Sequence, residues 1–283
     1  MGRGHPYTGR RIALLTQHRK ECVIRPALEA AVGCRVARTG GYDTDRLGTF
    51  TRDTARAGSQ LDAARRKARI AIELSGETLG LGSEGAVGPD PVSGLLPWGV
   101  EILLFLDVHL GIEVVGTARG PAMHRHALVT SYGEAASFAA EAGFPAHALV
   151  VRPDSEDDPR MRKGISDVTT LRGAVNRALD ESTGGQVFVE NDLRAFANPT
   201  RMALIRDAAE DLGRRLASLC PDCRSPGFAA IERVEGLPCE VCRTPTRLPR
   251  AERHGCPACA LTKVVQLAEP AFADPARCDF CNP

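Results

Sequence analysis

The chain has 283 residues, 43% of them hydrophobic and 25% charged, and 36 Lys+Arg against 35 Asp+Glu leave a formal net charge of +1. That content fills one large or two medium units plus a small module, while so even a balance excludes a strong overall pull on nucleic acid or an anionic membrane. No run approaches the roughly 18 uninterrupted apolar residues that a spanning helix needs, and the opening Met1–Tyr7 is polar with no secretory core, so a cytoplasmic protein without a membrane partner is expected.

Arg11–Thr16 is a short apolar run that reads as a buried strand. A polar turn, Gln17–Glu21, leads into a helix to about Ala31 that Gly33 stops, and Cys34–Arg38 reads as a second strand. Residues 39–58 are a polar loop. Ser59 is placed to cap a helix through Leu74, with Gly76 as its stop. Thr78–Leu81 reads as a short strand, and the Gly- and Pro-rich stretch Gly82–Trp98 as a long loop of the functional sort. Glu101–Asp107 and Ile112–Gly116 form a hairpin across His109–Gly111. Then come a helix at Tyr132–Ala142, a strand at His147–Val151, an acidic loop at Pro153–Pro159, a helix at Val168–Glu181 and a strand at Gln186–Glu190. Asn198 and Pro199 supply a cap and a first-turn proline for a helix reaching Leu219. The alternation predicts an α/β fold, a mixed β-sheet flanked by helices over residues 1–219, followed by a small C-terminal zinc-ribbon-like module over 220–283.

That module carries eight cysteines in four Cys-x-x-Cys pairs: Cys220 and Cys223, Cys239 and Cys242, Cys256 and Cys259, Cys278 and Cys281. Two intervening residues let both thiolates of a knuckle face one ion, and two knuckles complete a tetrahedral site, so two structural Zn2+ ions are expected rather than redox dithiols or iron–sulfur ligands. The 15, 13 and 18 residues between successive pairs allow sequential, nested and crossed pairing of knuckles, and the sequential scheme is the expected one. Four thiolates leave no open coordination position, which makes the sites structural, and zinc supplies the folding energy of a segment poor in apolar residues. Its eight Lys+Arg and eight Asp+Glu give nucleic acid no basic patch to hold. Cys22 and Cys34 read as buried small apolar residues.

Polar clusters follow several of the strands, where open α/β sheets keep their ligand crevices. His18, Lys20 and Glu21 come after the first, and a lysine at a helix start suits a phosphate. Asp43, Asp45 and Thr49 sit in the loop after the second, where the carboxylates would share a Mg2+ ion and a phosphate with Lys20. Glu84, between Ser83 and Gly85, is the foremost candidate for a catalytic carboxylate, with Glu101 and Asp107 at the ends of a later strand. Glu190, Asp192, Arg194 and Arg201 leave one strand and enter one helix. Lys163-Gly-Ile is a weaker candidate, and His124 and His126 read as surface residues. Gly80-Leu-Gly-Ser-Glu-Gly85 fits Gly-x-Gly-x-x-Gly, but no helix opens there, so a dinucleotide site is not expected.

Thr16–Glu21, Asp43–Phe50, Ser83–Pro91, Glu190–Met202 and the cysteine tail together resemble a bacterial family of unknown function along nearly the whole chain. Residues 11–180 also resemble, remotely, house-cleaning nucleoside triphosphate pyrophosphatases of the inosine triphosphatase type. Thr16-Gln-His18-Arg-Lys20 stands in place of their Thr-x-Asn-x-x-Lys, with Gly48-Thr-Phe50, Lys67-Ala68 and Ser83-Glu84-Gly85 following in their order. His18 replaces the asparagine, the lysine comes one position early and a double aspartate is missing. This resemblance implies a magnesium-dependent hydrolase of nucleotides or other phosphate esters. Glu84 with Asp43 or Asp45 would hold the metal, Lys20 with Arg194 or Arg201 the phosphates, and His18 would orient the substrate. The alternative is a non-enzymatic ligand or nucleic-acid sensor with the tail as a partner-binding arm.

Overall fold

A computed structural model describes residues 4–44 and 58–283. Asp45, Thr49 and the Gly48-Thr-Phe50 segment lie outside the described residues.

The first sheet has the order β2-β1-β3-β4-β5, formed by β1 (Arg11–Leu15), β2 (Arg35–Thr39), β3 (Leu79–Pro89), β4 (Pro97–Asp107) and β5 (Ile112–Pro121). β1 runs parallel to both β2 and β3, whereas β3, β4 and β5 are an antiparallel meander. Helix α1 (Glu21–Val32) crosses from β1 to β2, and α2 (Gln60–Ser75) from β2 back past β1 to β3. Right-handed crossovers running in opposite directions place their helices on opposite faces. Accordingly, Ile24 and Leu28 of α1 share a core with Leu14, Leu81, Leu103 and Phe105, completed by α5 (Pro199–Ala217) through Ile205, Ala209 and Leu212. On the other face Ala64 and Ala68 of α2 pack on Ile102, Leu104 and Leu106. The unbroken burial of β4 from Glu101 to Asp107 is what a strand covered on both faces requires.

Gly82–Trp98 is not a loop. β3 runs eleven residues and pairs with β4 without a break from Leu79–Asp107 to Pro89–Pro97. Gly80 and Gly82 are packing sites. A Cβ at Gly80 would come within 2.4 Å of the Ala68 carbonyl and one at Gly82 within 1.8 Å of the Ala64 carbonyl, so α2 lies directly on the β3 backbone. Only the tip from Asp90 to Leu96 is a turn, held by the Asp90 carboxylate accepting from the backbone of Val92, Ser93, Leu95 and Leu96.

The second sheet, order β6-β9-β7-β8, is wholly antiparallel. β6 (His126–Val129), β7 (Leu149–Pro153), β8 (Arg162–Ile165) and β9 (Val187–Asn191) are backed by α3 (Tyr132–Glu141) and α4 (Val168–Glu181). The fold is mixed α/β as expected, though its strands divide between two sheets, and β6 and β8 are too short to leave a readable pattern. A third sheet, β10 (Ala229–Glu235), β11 (Pro249–Gly255) and β12 (Thr262–Gln266), is an antiparallel meander that carries the cysteine pairs.

Candidate functional site

The register of the third sheet decides which cysteines meet. Ala229 at the start of β10 faces Gly255 at the end of β11, so Cys220 and Cys223, just before β10, come up against Cys256 and Cys259, just after β11. At the opposite end Glu235 faces Pro249 and Ala251 faces Gln266, which places the β10–β11 connection beside the exit of β12. There Cys239 bridges to Ala273, and the Glu240 amide donates to the Ala273 carbonyl, drawing Cys278 and Cys281 onto Cys239 and Cys242.

Two quartets result, Cys220–Cys223–Cys256–Cys259 and Cys239–Cys242–Cys278–Cys281, with the sulfurs of each within 4.8 Å of one another. The sequential pairing is therefore overturned in favour of the crossed one. Cross-knuckle Sγ–Sγ separations are 3.7, 3.6, 3.8 and 3.5 Å. A tetrahedron of thiolates about 2.3 Å from a central zinc has edges of about 3.8 Å, so each quartet fits a metal ion. All eight thiols are free. The first cysteine of every pair is buried and its second is nearer the surface. The residue after the second cysteine takes positive φ in three knuckles, Arg224, Arg243 and Ala260, which turns the chain tightly enough for both sulfurs to face one point. The Cys220 quartet abuts the first sheet, since a Cβ at Gly227 would lie 2.6 Å from Val114 of β5.

The second candidate site lies at the carboxyl end of β1. In the order β2-β1-β3 the chain leaves β1 to one side through α1 and returns to the other through α2, and such a switch point opens a crevice beyond the strand ends. β1 stops at Leu15 while β3 continues to Pro89, so β3 borders this crevice from Gly82 onward. Arg19, a non-glycine residue at φ 56°, turns the chain into α1, and that strained conformation sits where function tolerates it.

Five charged side chains are buried here: Lys20 (6% exposed), Lys67 (8%), Arg201 (6%), Glu84 (3%) and Glu101 (2%). They divide between the faces of the sheet. On the α2 face Lys67 Nζ lies 2.6 Å from Glu84 Oε1, and Gln60 Nε2 of the same helix donates to the Glu84 and Val100 carbonyls. On the α1–α5 face Arg201 Nε donates to Glu101 Oε1 at 2.6 Å, and its Nη1 to the Leu193 carbonyl. Gly85, opposite Glu101 in the ladder, has no room for a Cβ, which would sit 2.1 Å from that carboxylate. Lys20 Nζ donates to the Ser83 hydroxyl at 3.1 Å and the Ser83 carbonyl at 3.4 Å, and no carboxylate lies within salt-bridge distance of it among the described residues. Burial, then the positive charges of Arg201 and Lys67, push Lys20 down to about 7, against the opposing pull of Glu101 and Glu84. Burial and the cations Lys20, Arg201, Arg194 and Lys67 push His18 down to about 4, so this ring is neutral.

Of the residues singled out from sequence, His18, Lys20, Glu84, Arg194 and Arg201 come to this crevice. Arg194 is held by Asp192 at 2.6 Å and lies over the Phe196 ring, whose other neighbour is His18 at 5.8 Å between centroids. Asp192 also accepts from the Gly164 amide, which brings the Lys163–Ile165 strand to the same rim. Glu190 is elsewhere, paired at 2.7 Å with the fully buried Arg152 inside the second sheet. Asp43 is exposed next to Thr44, whose hydroxyl bonds Gln17. Cys34 is buried as expected, but Cys22 is exposed on α1, because its position on the helix faces away from the core. Ser83 and Lys67 stand out in the sequence only as parts of the segments Ser83-Glu84-Gly85 and Lys67-Ala68, and Gln60 not at all, since their contacts here depend on the switch-point topology. Glu84 and Glu101 are engaged by buried cations, and among the described residues the cysteine quartets are the only clusters that could hold a metal ion.

Comparisons with curated proteins and with solved structures return no match. The family of domains of unknown function designated DUF6671 matches residues 67–283, a span that includes Lys67, Glu84, Arg201 and all eight cysteines, and the chain belongs to this family.

Proposed function

We propose that the crevice between β1 and β3 binds a small phosphate-bearing ligand, and that the quartets hold two structural zinc ions that fold residues 220–283 as a module on the α/β part, residues 1–219. The anion reading is carried by one observation: among the described residues three buried cations, Lys20, Lys67 and Arg201, meet two buried carboxylates, and Lys20 is the one of the three without an acidic partner there. A buried ammonium without a counterion is costly and either sheds its proton or takes up an anion. A phosphate entering there gains the Lys20 charge and a guanidinium held in place by Glu101, and Arg194 waits at the mouth over Phe196. Zinc is supported by the four-thiolate donor set and the tetrahedral spacing.

Titration calorimetry of the zinc-loaded protein with inorganic phosphate and a nucleotide panel tests the ligand. Saturable binding is expected, weakened at least tenfold by Lys20→Met. Absence of binding to every phosphate compound at millimolar concentration, with the protein folded, would sink the proposal. Monitoring phosphate release in the same mixtures decides whether binding leads to hydrolysis.

A further inference from the structure

The sequence contains four lysines, Lys20, Lys67, Lys163 and Lys263. Lys67 is engaged by Glu84, and Lys163 and Lys263 are partly or fully exposed. Lys20 alone combines burial with the lack of a carboxylate within salt-bridge reach among the described residues, and its Nζ rests on a hydroxyl, Ser83 Oγ, at 3.1 Å. We propose that the Lys20 amine captures the carbonyl carbon of a phosphate-bearing aldehyde or ketone as an imine, with Ser83 relaying protons.

This rests on the crevice reading, with the Arg201 and Arg194 guanidiniums taking the ligand's phosphate while the Lys20 amine reacts, and adds a covalent step to it. The neutral amine nitrogen adds to the carbonyl carbon, and the nitrogen's proton passes through the Ser83 hydroxyl to the carbonyl oxygen. The resulting carbinolamine expels its hydroxyl as water, which carries off both amine hydrogens, and an N=C double bond remains; nothing is oxidised or reduced. An amine nucleophile is activated by desolvation and a neighbouring cation, and Lys20 has both. The groups that act on it are Arg201 from α5, Lys67 from α2, Glu101 from β4 and Glu84 from β3. The first two, with burial, bring it to about 7, so roughly half the amine is neutral at pH 7. The two carboxylates favour the protonated imine once it forms. An exposed lysine at the same pH is neutral in only about one molecule in two thousand.

Glycolaldehyde phosphate, a two-carbon phosphate-bearing aldehyde, is the probe. The zinc-loaded full chain is incubated with it and cyanoborohydride at pH 7, and adducts are located by peptide mass mapping. The expected result is one adduct at position 20, formed at least tenfold faster than at Lys263, with a rate that rises through about pH 7. Lys20→Arg keeps the cation and loses the adduct. Equal labelling of Lys20 and Lys263, or an unmodified position 20, overturns the imine. Excess inorganic phosphate is expected to slow the reaction at Lys20. Selective labelling that phosphate leaves untouched upholds the amine chemistry and overturns the anion crevice, whereas phosphate binding by calorimetry without any adduct does the reverse.

Discussion

Exchanging cysteines in chosen pairs distinguishes the crossed zinc arrangement from its rivals. Cys220 and Cys256 belong to one quartet, and Cys239 to the other. The double variant Cys220→Ser/Cys256→Ser therefore destroys one site and leaves the second with all four thiolates, and it should purify with one zinc equivalent where the unaltered protein carries two. Cys220→Ser/Cys239→Ser takes one thiolate from each site and should lose both ions, or hold both weakly. A sequential pairing reverses the two results, and a nested pairing makes both variants lose both ions. The energetic scale is large. A structural zinc is worth about 10–16 kcal/mol of apparent binding free energy in small metal-folded segments, well beyond the few kcal/mol of apolar burial available to a sheet whose third strand is exposed at every residue. Loss of one site should thus unfold most of the module, seen as rapid amide exchange across residues 229–266, while the first sheet stays protected. The readouts are zinc per chain by elemental mass spectrometry and exchange by mass spectrometry. One equivalent left in the Cys220/Cys239 variant, together with none in the Cys220/Cys256 variant, would rule out the crossed pairing.

Three further outcomes are expected. Gly82→Ala drives a methyl to 1.8 Å from the Ala64 carbonyl, with backbone on both sides, and should cost about 3 kcal/mol or more in urea unfolding, whereas a loss below about 1 kcal/mol would mean that α2 shifts freely. Glu101→Ala removes a buried carboxylate that pairs with Arg201 and should cost about 3–5 kcal/mol, because a buried ion pair then loses its acid; Glu101→Gln, measured alongside, should cost less. Lys20 is depressed in the folded protein to about 7, below the ordinary lysine range that holds in the unfolded chain. The unfolded state thus binds the extra proton between about pH 7 and pH 10, and the Lys20 contribution to stability rises there by about 1.4 kcal/mol per pH unit. Below pH 7 both states are protonated and the burial penalty is constant. The difference between Lys20→Met and the unaltered protein, followed by urea unfolding at constant zinc, should show that slope above pH 7 and none below.

The first half of the fold is legible in the sequence because its signals are local. Ser59 caps α2 with a reciprocal bond to Asp62, Gly33 and Gly76 end their helices in the left-handed region, and Asn198 caps α5 through the Arg201 amide. β3 was hidden because glycines at alternate positions mimic a loop, and only the presence of α2 against them reveals a strand. The crevice was half visible: His18, Lys20, Glu84 and Arg201 stand out as polar residues at element ends, but Ser83 and Lys67 acquire meaning only once β1 is shown to lie between β2 and β3. The knuckles themselves are unmistakable, and their pairing is not. Joining Cys223 to Cys256 across 33 residues, rather than to the next knuckle, roughly doubles the closed loop, and a doubling costs only about 0.6 kcal/mol. Spacing therefore carries almost no information about pairing, and the register of β10 with β11 decides it.

Crossed ligation also sets how this tail responds to breakage. The half that ends at Cys242 and the half that begins at Cys256 each hold two sulfurs of either quartet and a complete set of neither, so a fragment keeping only one half has lost both sites as the fold builds them. With both quartets filled, a single nick between Cys242 and Cys256 would by contrast leave the two pieces gripped by two ions at opposite ends of a sheet. Such a chain would travel as one molecule until a chelator took the metal away.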